Sequence, residues 1–307
     1  MTTTTDNSAP SRQLLGLALV IIGSIFFGFM PTAAKLSYQE GANPIALLVV
    51  RSALGLIGMA AFLILRGQRL PIPRSYILPT ALAGITLVFA AGGGMGSVAY
   101  IDVSLSSILV FTFPLIVAAA NHFNGTSPLT RISTLLIAIA FAGLALTIGA
   151  DLKTLNATGI ILALAASLGI AVMVLSTTET SKAIGAIRAN LHMTLWAGLY
   201  FLILAFLGPV TGLMQPMIFP ETTLGWLYIF GAAISFTGGY LLFFIAATII
   251  GSTRASLISF SEPVLMIAVA AMVLGERLAT TQYIGIMVVL GCLWVMEFLQ
   301  ARARRQS

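Results

Sequence analysis

The chain offers few groups capable of acid, base or nucleophilic chemistry, and their spacing narrows what they can do. Its 307 residues hold nine acids, two histidines (His122 and His192) and one cysteine, Cys292. No H-E-x-x-H pair occurs and the acids are scattered, so neither a metal centre nor a clustered membrane enzyme is encoded. Cys292 has no partner for a disulfide, and no motif calls for a cofactor. The informative acid is Glu262, in Ser259-Phe260-Ser261-Glu262-Pro263-Val264. On a helix at about 100° per residue, Ser252, Ser256, Ser259, Glu262 and Met266 fall within about 120° of one another. Such a polar stripe on an otherwise apolar segment should face a cavity. A carboxylate there is a candidate for loading and releasing a proton; the alternative is that it braces the chain around Pro263.

Other positions share that apolar setting. Pro114 and Pro263 each remove a backbone hydrogen bond within a long apolar run, and Phe111 precedes Pro114 by one turn. Ser24, Gly28, Pro31 and Lys35 share one helical face, with Tyr38 beyond. Lys35 is expected to snorkel to lipid headgroups, the alternative being that it meets a carboxylate at the outer mouth. Gly238-Gly239 leave room beside Tyr240 and Phe244, two candidate cavity walls. Gly92-Gly93-Gly94-Met95-Gly96 follows no strand, so it reads as close helix contact rather than a phosphate loop. Asn156-Ala157-Thr158 matches a glycosylation tripeptide that often arises by chance.

The elements that must hold these groups follow from composition. Apolar residues make up 59% and charged residues 8%, with a mean hydropathy of +1.04, against roughly 45–50% and about 25% in soluble domains. So few charges cannot cover a globule, and the remaining apolar surface must face lipid. A bilayer core of ~30 Å asks for about 17 to 25 apolar residues per helical crossing. Ten runs meet that ruler, near 14–34, 44–65, 76–99, 104–122, 132–149, 157–178, 190–210, 224–248, 254–274 and 281–299. They lack the period-two alternation of barrel strands, which makes the fold class an all-α integral membrane protein.

The net charge of +6 sits between these runs, so nucleic acid is not a partner. With a cytoplasmic N-terminus, eleven basic residues fall inside: Arg12, Arg66, Arg69, Arg74, Arg131, Lys182, Arg188, Arg254, Arg302, Arg304 and Arg305. Three fall outside, Lys35, Lys153 and Arg277. Both termini are therefore expected in the cytoplasm, as a polar tail over 1–13 and a basic tail over 300–307.

Five plus five runs invite a test for repetition. Sliding the chain by 149 residues lays Ser107 to Leu115 on Ser256 to Val264, matching Ser, Phe and Pro. A slide of 148 puts Gly143 on Gly291. An odd number of crossings per half makes equivalent helices antiparallel, so residues 14–150 and 157–299 are expected to be two inverted five-helix repeats.

The run Ser259 to Val264, Leu274-Gly275-Glu276-Arg277-Leu278 and the Gly285–Gly291 pair resemble the second repeat of the EamA-type drug/metabolite transporter superfamily. Pro31 to Lys35 and Arg51 in Val49-Val50-Arg51-Ser52-Ala53 are similar to landmarks of the first. The likeness runs over about 14–299, with Phe113 in place of an acid before Pro114 and Asn124-Gly125-Thr126 in place of L-G-E. It implies a path lined by the first, third, fourth, sixth, eighth and ninth helices, working by alternating access. It also implies that the second helix stands off that path, so Arg51 is expected to pair structurally with a carbonyl or an acid. The same bland role is expected of His192.

The expected function is export of a small-molecule substrate, amino acids first, through the inner membrane of a bacterium. Other cargo on the same fold, a cationic drug or a sugar phosphate, and a facilitative uniporter without proton coupling are the alternatives. A phosphate carrier should present several cations to its cavity, and only Lys35 and Arg51 are candidates. The partners are thus substrate, the lipid bilayer and protons.

Overall fold

The computed structural model describes residues 10–123, 131–149, 156–212, 214–251, 255, 258, 259 and 261–303. Ser252 and Ser256 of the polar stripe, Phe260, Lys153, Arg254, Arg304 and Arg305 lie outside them. Every regular element among the described residues is helical, as a chain without water to satisfy its backbone requires.

Pro10–Gln39 forms α1 and Pro44–Leu65 forms α2, whose N-cap Asn43 accepts a hydrogen bond from the Ala46 N–H. Arg74–Ser97 is one continuous stretch, α3, with a π-helical turn at Val88–Gly92 ahead of the glycine run. The fourth run is broken: Val103–Val110 (α4) and Phe113–Phe123 (α5) meet at a turn over Phe111 and Thr112. Arg131–Gly149 (α6), Ala157–Ile184 (α7), Ala186–Thr211 (α8) and Thr223–Ile250 (α9) follow. Glu262–Leu274 (α10) and Thr280–Ala303 (α11) complete the chain. α7 and α8 join through Gly185 alone, whose φ of 88° suits a residue without Cβ.

Seven of these stretches are long and apolar enough to cross a bilayer, and three apolar helices are shorter: Thr134–Leu146, Glu262–Leu274 and Thr280–Met296. The ninth run is thus not the uniform helix its composition suggests. α10 starts at Glu262, with Pro263 in its first turn, where a missing N–H costs nothing. Pro114 holds the corresponding place in α5.

The packing depends on small residues. α1 lies along α9, with Gly23 and Gly239 face to face: a Cβ on Gly23 would stand 3.2 Å from the Gly239 carbonyl oxygen. Gly93 on α3 is pressed against the Leu162 carbonyl of α7, so the glycine run is a helix contact as its sequence suggests. α6 pairs with α11, and α2 with α8 and α9. The outer faces carry large apolar side chains such as Leu65, Phe123 and Val210, each over four-fifths exposed, which is the surface lipid would cover.

Candidate functional site

One end of the bundle is tied by polar side chains from four connections. Lys35, near the end of α1, stands 3.2 Å from Asp102 and 3.6 Å from Glu276, and also donates to the Ile101 carbonyl at 3.1 Å. It is therefore held in the protein, not snorkelling as the sequence alone suggests. Glu276, buried just past α10, accepts from the N–H groups of Val103 and Ser104 at 2.7 and 3.0 Å and from the Ser104 hydroxyl at 2.6 Å. A carboxylate on the free N–H groups that open α4 satisfies donors that have no partner inside the helix. Asn43 donates to the Pro216 carbonyl at 2.7 Å, and Thr222 donates to Glu40.

Between the helices lies a cavity of about 500 Å³, within the range of roughly 300–1,000 Å³ common for small-molecule sites. Phe27, Met30 and Pro31 line it from α1, and Leu87, Ala90 and Met95 from α3. Ser106, Ser107 and Val110 come from α4, with Phe111 and Phe113 at the helix break. Ile170 and Met173 of α7 face Phe236, Tyr240 and Phe243 of α9, while Ser259, Glu262 and Met266 close it from the ninth run. Its walls are mostly thioether, aromatic and aliphatic. Glu262 and Arg51 are the charged side chains among the lining residues.

Of the residues singled out in the sequence, Pro31, Phe111, Tyr240, Ser259, Glu262 and Met266 thus meet at one cavity. Others do not line it. Ser24 is buried with its hydroxyl unpartnered, and Gly28 is packed on α10, where a Cβ would stand 3.0 Å from Leu265 Cβ. Lys35 belongs to the polar ties described above. Pro114 and Pro263 shape the two helix starts beside the cavity, and Phe244 stands behind Tyr240 with ring centroids 4.6 Å apart. His192 bonds the Leu70 carbonyl at 3.0 Å, a structural tie between α8 and the chain after α2. Asn156 caps α7 by accepting from the Gly159 N–H.

Arg51 is where the sequence reading fails. α2 was expected to stand off the path, yet Arg51 is among the residues that line the cavity, while it is only 4% exposed. It packs 4.1 Å over the centroid of the Phe236 ring. No carboxylate or carbonyl pairs with it among the described residues, and its Nε is buried without a hydrogen-bond partner. The missed signal was the cost of a cation in an apolar run, which applied to Arg51 as much as to Glu262. Met30, Met95 and Phe236 carried no signal, because a lining Met and a core Met look alike in sequence.

Comparison with known proteins fits this architecture. The sequence model of the EamA-like transporter family matches residues 14–149 and again residues 157–297. The chain is 26% identical over 290 residues to the uncharacterized transporter YcbK of Bacillus subtilis, covering 91% of this chain and 92% of that one. It is 26% identical over 287 residues to the uncharacterized inner membrane transporter YedA of Escherichia coli K12, covering 91% and 89%. A solved crystal structure superposes with a TM-score of 0.64 at 15% identity over 96% of this chain and 99% of the other, a likeness of fold.

Proposed function

The chain belongs to the EamA-like transporter family, a membrane transporter family, and from that premise we propose that it exports small metabolites, amino acids first among them, by alternating access. The observation that carries this reading is the central cavity of about 500 Å³, whose walls come from both family-matched halves and which holds one acid and one cation in a mostly apolar lining. A site of that size and polarity suits a molecule with an apolar body and few charged groups. Broken helices beside a central site, here at Phe111–Thr112 and just before Glu262, are a common transporter device. The two halves are proposed to be inverted copies, so that rocking one against the other opens the cavity to each side in turn.

Glu262 is the proposed proton-coupling residue, since it is the acid of the cavity. The protein is placed in the bacterial inner membrane with both termini in the cytoplasm, a placement supported by the inner-membrane relative and by the excess of basic residues in one set of connections. Neither rival cargo suits the cavity as well. A sugar phosphate would find one cation where several are needed, and a cationic drug would be forced to sit beside Arg51. Uptake of a panel of radiolabelled amino acids and metabolites into proteoliposomes tests the proposal. Saturable uptake of at least one amino acid is expected, and the absence of uptake above empty liposomes for every compound overturns it.

A further inference from the structure

Among the described residues, Arg51 is a buried cation in an apolar helix whose Nε has no hydrogen-bond partner. Its guanidinium presents five N–H donors in a planar fork, suited to a carboxylate held by two parallel hydrogen bonds. The residue is 4% exposed, and no acid stands in an ion pair with it among the described residues. The Tyr38 hydroxyl is already donated to the Met95 carbonyl at 3.1 Å. The Phe236 ring, 4.1 Å away, lies against the charge but offers no oxygen to the fork. Leaving a buried charge uncompensated is costly, and Arg51 is one of the residues that line the cavity.

We infer that Arg51 is the anchor for a single carboxylate of the cargo, whose apolar body lies against the rest of the cavity wall. The single cation limits the anionic end to one carboxylate. Met30, Met95, Met173 and Met266, beside Phe111 and Phe243, give the body a soft wall that adapts to different apolar shapes. This rests on the carrier reading of the same cavity and sharpens it, since that reading names no residue that holds the charged end of the cargo.

The test compares ligands that differ only at the carboxylate. Full-length protein in detergent and in proteoliposomes is given L-phenylalanine and L-methionine, their primary amides, and phenethylamine, and is followed by thermal shift and by inhibition of uptake. The acids are expected to bind and to compete about 10- to 100-fold better than the amides, the loss anticipated when one charge-assisted pair is removed. Arg51→Met should abolish that preference and leave the amides unaffected, and Arg51→Lys should restore part of it. Should Arg51→Met fail to fold, the wild-type series still decides. Equal binding of acids and amides, or a preference for phenethylamine, overturns the carboxylate anchor while leaving the carrier reading intact. If none of the five compounds, nor any member of the wider metabolite panel, binds or moves, both are overturned.

Discussion

Lys35 on α1 and Glu276 after α10 approach to 3.6 Å across the end of the bundle, and the same Glu276 carboxylate holds the first N–H groups of α4. One acid thereby fixes the ends of three helices to each other. Hydrogen bonds to a buried charge contribute about 1.5–3 kcal/mol each, whereas the exposed Lys35–Asp102 pair contributes about 0–1 kcal/mol. Glu276→Ala should accordingly loosen this end far more than Lys35→Met. The readout is labelling of Met30→Cys, in a Cys292→Ala background, by a membrane-impermeant maleimide from the Lys35 side. Glu276→Ala is expected to raise the rate by at least ~10-fold; equal rates in parent and variant would show that the carboxylate does not restrict entry.

Glu262 is proposed for proton coupling because it is the acid among the residues that line the cavity. Glu262→Gln keeps the shape and removes the titrating group, so uptake should persist with its dependence on a pH gradient lost. An unchanged pH dependence would leave Glu262 the bracing role beside Pro263.

Gly93 leaves no room for a side chain against the Leu162 carbonyl and the Ala166 N–H. Both obstacles are backbone and cannot rotate away. Gly93→Leu should therefore cost about 1–3 kcal/mol or more and lower the melting temperature in detergent, while Gly94→Ala, where a Cβ would rest 3.9 Å from Ala166 Cβ, should change it little. Similar melting temperatures for the two variants would contradict the α3–α7 contact.

A reporter fused after Ser307 tests the orientation. A fluorescent protein should glow and an alkaline phosphatase should stay inactive if the basic tail lies in the cytoplasm. The reverse pattern would turn the whole molecule over and put Lys35 and Glu276 on the cytoplasmic side.

Much of the fold was legible because lipid leaves the backbone few options: apolar runs of the right length had to be helices, and every regular element among the described residues is one. The site was legible where a polar group broke an apolar pattern. Glu262 and Ser259 stood out that way, and both line the cavity. Lys35 was misread because snorkelling needs nothing from the rest of the chain, whereas its partners Asp102 and Glu276 come from connections far away in sequence. Arg51 was misread for a different reason. Its helix was assigned to the periphery by resemblance, and a long side chain reaches beyond its own helix. The breaks before α5 and α10 were signalled by Pro114 and Pro263, but proline alone cannot distinguish a kink from an interruption.

Counterflow is the most direct test of the carrier itself. Proteoliposomes preloaded with unlabelled L-methionine or L-phenylalanine are diluted into a trace of the same labelled compound, with no gradient of protons or voltage. A carrier that alternates around one central site should draw label inward several-fold faster than into unloaded vesicles, with saturation and a transient overshoot. Label entry that is linear in concentration and indifferent to preloading would mean a pore or no passage at all, and would contradict a single alternating cavity.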